Sequence, residues 1–119
     1  MVLIDTSVWI DHFNRSDTLL QFLLNEFEVV THPHILSELA CGNIKNRNEI
    51  FNLLSNLPSI SAISNEEYLT FVEKNKLYGL GFGFVDIHLL ASSLIFHCTI
   101  YTKDKILLSA ARLFKIAYK

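Results

Sequence analysis

The chain contains 119 residues, of which 50% are hydrophobic, and it carries a formal net charge of −2 from 10 basic and 12 acidic residues. This length fits a single domain over residues 1–119 with one core. The near-neutral charge excludes the strongly basic composition typical of many nucleic-acid-binding proteins. The high apolar fraction indicates a well-buried fold, a large apolar interface, or both.

The first half of the sequence predicts two short strands and four helices. Apolar or β-branched runs indicate the strands, and apolar residues at helical spacing indicate the helices. In chain order, the predicted elements are a strand at 1–4 that ends at Asp5, helices at 7–13 and from Asp17 onward, a strand at 28–31, and helices at 33–42 and 46–57. The helix after Asp17 presents one apolar face made of Leu20, Leu23, Leu24 and Phe27.

The second half predicts three more helices. Residues 59–63 form either a loop or a short edge strand, and Ser64 with Glu67 makes a capping box for a helix that ends near Leu77. After a glycine-rich joint at 79–83 come a helix at 84–96 that is apolar nearly all round, a strand at 98–101, a helix at 104–114 and a last short strand at 116–118. The window 77–96 is long enough to span a bilayer, but its glycines, Asp86 and His88 argue against a transmembrane helix.

Strands that alternate with helices predict a parallel sheet wrapped by helices, which is the α/β class. In such sheets, ligands bind beyond the carboxyl ends of the strands. Asp5 directly follows the first predicted strand, and Asp104 lies a few residues after the strand at 98–101. Both acids therefore fall at the edge of the sheet where a functional site is expected.

Four carboxylates lie in otherwise apolar stretches of the chain: Asp5, Glu38, Asp86 and Asp104. Burying a carboxylate is unfavourable unless it is paired, hydrogen-bonded or bound to a metal. Carboxylate oxygens are the ligands that Mg²⁺ and Mn²⁺ prefer, so we expect the four acids to form a site for a hard cation. The remaining 10 basic and 8 acidic residues leave a mildly basic surface, which is compatible with a polyanionic substrate.

Each acid also has a simpler interpretation. Asp5 is placed to cap the helix that follows it, and Asp104 is placed to cap or begin the last helix. Glu38 fits a surface position on the flank of its helix. Asp86 is the hardest of the four to explain structurally, because its predicted helix has almost no polar side.

The four acids with their surrounding segments are, taken together, a more specific signal of function than any one of the acids alone. The four segments are DTSVWID at 5–11, SELACG at 37–42, GLGFGFVDIHLLASS at 79–93 and TIYTKDKILLSAA at 99–111. In order and approximate spacing they resemble the four motifs of the PIN domain, and within it those of the VapC ribonuclease toxins of bacterial toxin–antitoxin pairs. The resemblance implies a three-layer α/β/α fold with a short parallel sheet of four or five strands.

The resemblance also implies roles for individual residues. It makes Asp5, Glu38, Asp86 and Asp104 the catalytic, metal-binding acids, with Mg²⁺ or Mn²⁺ as cofactor. Hydroxyls of Thr6 or Ser7 and of Thr102 would orient the carboxylates or the water, although such residues at strand exits often serve only as caps or turns. The implied activity is cleavage of RNA by a metal-activated water without a covalent protein intermediate. The implied assembly is a homodimer with a VapB-like antitoxin as partner. Basic residues available for RNA phosphates, or alternatively solvated surface charges, are Arg15, Lys45, Arg47, Lys103 and Lys105.

Two other functions stay open from the sequence. A receiver-like phosphoacceptor signalling domain matches in length, α/β pattern, strand-end Asp5 and Lys103. Receivers, however, carry paired acids after the first strand and do not account for Asp86. The second alternative is a catalytically silent PIN domain that binds RNA or a protein, and the four intact acids argue against it.

The histidines and cysteines give weaker signals. His32-Pro33-His34 indicates a local turn, and His88 and His97 fit core or interface positions. Cys41 and Cys98 match no zinc-site spacing, and their apolar surroundings predict buried free thiols in a reducing compartment. Because Asp5 interrupts the first apolar run, we expect no signal peptide and a cytoplasmic protein without a membrane partner.

Overall fold

The computed structural model describes all residues from 1 to 119 and contains three strands and seven helices. The order of the elements follows the predicted α/β alternation. In chain order they are β1 (Val2–Ile4), α1 (Thr6–Asn14), α2 (Thr18–Asn25), β2 (Val29–Val30), α3 (Pro33–Ala40), α4 (Arg47–Ser55), α5 (Asn65–Asn75), α6 (Phe84–Phe96), β3 (Thr99–Tyr101) and α7 (Lys105–Leu113).

The strands form one parallel sheet in the order β2-β1-β3, and the helices complete the predicted three-layer α/β/α arrangement. Of the four or five strands expected, three are formed. The segments at 59–63 and 116–118 each contribute a single parallel bridge, from Ser59 to Thr31 and from Ala117 to Ile100. Each outer segment exchanges hydrogen bonds with one residue of the sheet only, and Pro58 removes a backbone donor directly before Ser59.

The central strand β1 and its neighbours lie at the centre of the hydrophobic core. Leu3, Ile4 and Ile100 are completely buried, as expected for strands covered on both faces. Helix α6 packs beside them as the central helix, with the seven consecutive residues from Ile87 to Ser93 buried. No helix in the chain combines the length and the apolar character needed to cross a lipid bilayer.

Helix ends account for most differences from the sequence predictions. The capping box of α5 is present, with Ser64 N donating to Glu67 Oε1 at 2.9 Å and Glu67 N donating to Ser64 Oγ at 3.1 Å. Phe27, predicted on the inner face of α2, lies beyond its end and is 87% exposed. Its φ of 55° reverses the chain toward β2. Because the connection to β2 is short, Phe27 leaves the helix and does not continue the apolar face of α2. His97 ends α6 in the same way, with a φ of 55°, and is exposed.

The cysteine prediction is right for one residue and wrong for the other. Both thiols are free, and Cys98 is buried as expected. Cys41 is exposed, because it is the C-cap residue of α3 at the point where the chain leaves the core. His88, expected in the core or an interface, is buried in α6.

His32 ties α3 to α6 through a buried hydrogen-bond chain. Ser92 Oγ lies 3.0 Å from His32 Nε2 and donates to the Ser61 carbonyl oxygen at 2.9 Å. His32 Nδ1 accepts from the backbone N of His34 at 3.0 Å and caps α3, so the proton of the neutral ring resides on Nε2. Burial, together with the neighbouring His34 and His88, lowers the pKa of His32 to about 4.

The depressed pKa of His32 predicts that the fold loses stability in mild acid. Its ordinary pKa is near 6.5, so between pH 6.5 and 4 the unfolded chain binds a proton that the folded chain excludes. The part of the free energy of unfolding that comes from keeping His32 neutral is complete above pH 6.5. It is lost as the pH falls toward 4. Urea unfolding should give a free energy about 2 kcal/mol lower at pH 5 than at pH 7 from this group. His32→Gln should remove that part of the pH dependence, and an unchanged difference in the variant would contradict the assignment.

Candidate active site

Asp5 lies at the exit of β1 and is held by two hydroxyl groups. Its side chain is buried, and Oδ2 accepts from Ser7 Oγ and from Thr102 Oγ1, both at 2.7 Å. Asp5 occupies the N-cap position of α1, but its side chain makes no capping hydrogen bond. The carboxylate is therefore held by the hydroxyls of Ser7 and Thr102 and not by the backbone amides of α1.

The turn at residues 102–104 connects Asp104 to the same group. The backbone N of Asp104 donates to Thr102 Oγ1 at 3.0 Å, and the backbone N of Lys103 donates to Ser7 Oγ at 3.1 Å. Thr102 is buried, and it bonds to both acids. The exit of β3 is thus fixed against the start of α1. The hydroxyls of Ser7 and Thr102 both donate to Asp5, and their role in a metal site stays a prediction.

Asp104 and Asp86 each occupy the first turn or N-cap of a helix. Asp104 Oδ1 caps α7 by accepting from Ile106 N at 2.9 Å and Leu107 N at 3.4 Å. Asp86 Oδ2 accepts from the backbone N of Gly83 at 3.3 Å, at the start of α6. The capping alternative considered for Asp104 is therefore correct for one of its oxygens, while Oδ2 makes no hydrogen bond with the protein.

Glu38 reaches the site from α3. Its Oε1 accepts from Thr6 Oγ1 at 2.7 Å, which connects α3 to the first residue of α1. The side chain is exposed, yet this bond gives it a defined position. Glu38 is therefore directed toward the same edge of the sheet as Asp5.

The expectation that all four acids are buried is wrong for two of them. Asp5 is buried and Asp86 is half-buried, whereas Glu38 and Asp104 are exposed. The reason is that the apolar residues around Glu38 and Asp104 face the core from the other side of their helices. The site is an open edge of the sheet that water reaches from outside.

The negative charges of the other three acids act on Asp86. Burial raises the pKa of Asp86, and the negative charges of Asp104, Asp5 and Glu38 raise it further. None of the four carboxylates forms a salt bridge with a basic side chain. The cluster is therefore an uncompensated concentration of negative charge, the environment in which a divalent cation binds.

The donor set fits a hard cation in its chemistry. Each of the four carboxylates uses one oxygen in a bond to the protein and keeps the other without a hydrogen bond. No three acidic, histidine or cysteine side chains converge on one point as they stand. Mg²⁺ commonly binds through one or two carboxylates and keeps several waters, so an open arrangement of this kind suits it. The residues that would hold it are Asp5, Asp86, Asp104 and Glu38.

The sequence interpretation missed an ion-pair network beside the site. Lys103 Nζ pairs with Asp11 and, at 2.8 Å, with Asp17 Oδ2, which also accepts from Tyr101 Oη at 2.9 Å. Although burial opposes it, hydrogen bonds from Lys103, the Leu20 amide and Tyr101 lower the pKa of Asp17 to about 2. Lys103, predicted to face RNA, is thus already paired, and its pKa is raised by Asp11 and Asp17.

Arg47 is also engaged within the protein. Its guanidinium donates to the carbonyl oxygens of Ala40 at 2.6 Å and Gly42 at 3.1 Å, where α3 ends. It also lies over the ring of Phe51. The predicted cations that remain free of a hydrogen bond or ion pair are Arg15, Lys45 and Lys105.

Comparison with known proteins identifies close relatives. Residues 2–113 match the family model described as PIN domain. The chain is 40% identical over 111 residues to Ribonuclease VapC32 of Mycobacterium tuberculosis strain CDC 1551 / Oshkosh, covering 92% of this chain and 90% of that protein. The identity and coverage are the same for Ribonuclease VapC32 of Mycobacterium tuberculosis strain ATCC 25618 / H37Rv.

The repulsion within the acid cluster predicts that Asp86→Asn stabilises the fold when no metal is present. Because its pKa is raised in the folded chain, Asp86 favours folding below that pKa and opposes it once ionised. The asparagine removes the charge and retains an oxygen for the Gly83 amide. In buffer containing EDTA at neutral pH, the melting temperature should rise above that of the wild type. Glu73→Gln, which neutralises an exposed acid outside the cluster, should leave it unchanged, and a lower melting temperature for Asp86→Asn would contradict the electrostatic argument.

Proposed function

The chain belongs to the PIN-domain family and to its VapC group, and from this premise we propose that it is a divalent-metal-dependent endoribonuclease. We propose that it acts as the toxin of a VapBC-type toxin–antitoxin pair in the cytoplasm. The observation that carries the proposal is that the charges of Asp104, Asp5 and Glu38 act on Asp86 and that none of the four carboxylates forms a salt bridge with a basic side chain. The family match over 2–113 and the one continuous core support the view that residues 1–119 act as one domain.

The proposed chemistry assigns a task to each side chain of the site. Mg²⁺ or Mn²⁺, when bound, would lower the pKa of a coordinated water and offset charge on the scissile phosphate. Asp5, fixed by Ser7 and Thr102, and Asp86, fixed by the Gly83 amide, would be the principal ligands. Asp104 and Glu38, which are exposed, would orient the attacking water and accept its proton. No protein side chain is required to form a covalent bond with the RNA.

The receiver alternative is not supported by the contacts of Lys103. In that alternative the lysine would lie beside the strand-end aspartate and a phosphoryl group. Here its ammonium group is held by Asp11 and Asp17, and Asp5 is followed by hydroxyl residues that bond to its carboxylate or to Glu38. Lys103, the lysine that a receiver would need beside Asp5, is therefore not free for phosphoryl transfer.

An apolar cleft supports the proposal of a protein partner. A cavity of about 420 Å³ lies between α1, α2 and α4 and is almost entirely apolar, with Trp9, Phe13, Leu24 and Leu53 among its lining residues. Leu53 is 63% exposed. We propose that a VapB-like antitoxin places an apolar segment in this cleft. We also propose a homodimer, supported by exposed apolar side chains such as Leu69 and Leu80 outside the cleft.

The nuclease proposal predicts that cleavage depends on the acids and on added metal. Purified protein should cut single-stranded RNA with Mg²⁺ or Mn²⁺ and should stop when EDTA is added. Asp5→Asn and Asp86→Asn should each abolish cleavage and growth toxicity, because they remove principal ligands.

Thr102→Val should lower the rate of RNA cleavage by about 10- to 100-fold, since Asp5 and Asp104 lose their shared partner. Thr102→Ser keeps the hydroxyl and should restore the rate.

The control for the nuclease assay is Glu73→Gln, which removes an exposed acid of α5 and should cleave like the wild type. All preparations need the same purification so that contaminating nuclease is excluded. Undiminished cleavage by Asp5→Asn or Asp86→Asn would refute the metal-site mechanism. Cleavage that persists in EDTA would refute metal dependence.

The partner proposal predicts the masses measured by light scattering after size-exclusion chromatography. The isolated chain should run at twice its mass of 13.6 kDa. Co-expression with a VapB-like antitoxin encoded beside this chain should give a larger complex, if the proposed pair exists. Leu53→Asp should lose the antitoxin and remain dimeric, whereas Leu113→Asp, at an exposed position on α7, should behave like the wild type. A monomer at micromolar concentration would contradict the dimer, and full antitoxin binding by Leu53→Asp would contradict the cleft assignment.

A further inference from the structure

A second cleft, different in character from the apolar one, begins at the acid cluster. It has a volume of about 490 Å³ and lies between the end of α1, the end of α3 and the loop at 42–46 that leads into α4. Glu38 forms part of its wall. Any molecule in this cleft therefore lies next to Glu38, one of the four carboxylates of the proposed active site.

Three carboxamides in this cleft have no partner within the protein. Asn14, Asn43 and Asn46 line it, and none of their side chains takes part in a hydrogen bond of the structure. Asn46 is the N-cap residue of α4, yet its side chain does not cap the helix. Its φ of 54° places the residue in the left-handed region that asparagine tolerates. The amide groups are thus available to a ligand.

The other walls of the cleft supply apolar surface and one free cation. Ile10, Phe13, Ile44 and Ile50 contribute the apolar part, and Ile10 is 48% exposed. Lys45 also lines the cleft and makes no ion pair. A ligand that fits needs apolar surface, an edge of hydrogen-bond donors and acceptors, and a neighbouring negative charge.

We propose that this cleft binds one unpaired nucleobase of the RNA substrate, on the side of the scissile phosphate next to Glu38. A carboxamide presents a donor and an acceptor side by side and pairs with the edge of a base. Sequence-specific recognition of RNA relies on such contacts to bases turned out of a single strand. Lys45 would contact the adjacent phosphate, while Arg47 is committed to the carbonyl oxygens of α3.

A nucleobase suits this cleft better than a protein segment does. The apolar cleft between α1, α2 and α4 offers almost no polar groups, whereas this one offers three free amides. An apolar peptide side chain here would leave those amides desolvated without partners, which is unfavourable. The volume lies in the range of pockets that enclose a small ligand. The inference rests on the proposed nuclease function and adds the residues that select the base.

The test is a cleavage assay on single-stranded RNA oligonucleotides with a randomised centre, followed by sequencing of the new ends. The wild type should favour one base at a fixed position beside the cut by about tenfold. Asn43→Ala and Asn46→Gly should each cleave the favoured RNA sequences more slowly. Their cleavage rate there should approach the rate for the disfavoured sequences. Glycine at position 46 retains the left-handed backbone, so the loss of the amide is isolated. Asn52→Ala, on α4 but outside both clefts, is the matched control and should retain the preference.

Each outcome of this assay decides between the hypotheses. A base preference that Asn43→Ala and Asn46→Gly leave unchanged overturns the inference, as does cleavage by the wild type without any preference. If these variants lose antitoxin binding but keep the base preference, the cleft belongs to the protein partner. That result also overturns the inference of a nucleobase site. Absence of cleavage by the wild type in Mg²⁺ and in Mn²⁺ refutes the proposed nuclease function itself. Melting temperatures within a few degrees of the wild type confirm that the variants are folded.

Discussion

Four negative charges at one edge of the sheet are the constraint to which the rest of this structure responds. Asp86 carries a raised pKa because it is partly buried and faces Asp104, Asp5 and Glu38. Like charges repel one another, and the repulsion is stronger near a low-dielectric interior than in water. None of the four acids forms a salt bridge with a basic side chain, so no ion pair within the protein offsets this repulsion.

Each acid is held by a separate donor, so that repulsion does not disperse the cluster. Two hydroxyls fix Asp5, a third fixes Glu38, and backbone amides fix Asp86 and Asp104. These donors are neutral, which orients the carboxylates without cancelling their charge. Lys103 is one of the two lysines that flank Asp104 in sequence, and it is bound by Asp11 and Asp17 on the other side of the turn. By holding that ammonium group away, the Asp11–Asp17 pair preserves the negative field of the site and anchors the turn at 102–104.

The predictable features were those that depend on local pattern. The order of strands and helices, the capping box at Ser64 and the buried helix α6 followed from periodicity and capping chemistry. The predictions that were wrong or missing concern how one segment of the chain connects to another or contacts it in the fold. Phe27 is exposed because the chain must turn into β2 within a few residues. The pairing of Lys103 with Asp11 joins residues 92 positions apart. Nothing in the spacing of either residue indicates the other, because only the parallel sheet brings the exits of β1 and β3 together.

The two clefts on either side of α4 are physically connected. Phe13 and Ile50 line both the apolar cleft and the cleft that begins at Glu38. A segment packed against one side of these two side chains restricts their rotamers, because well-packed apolar side chains do not rearrange freely. If a protein partner occupies the apolar cleft and a nucleobase the other, each occupant alters the wall that the other contacts. Inhibition by such a partner would then act on the recognition of the base as well as on the carboxylates, and it would need no direct ligand to the metal.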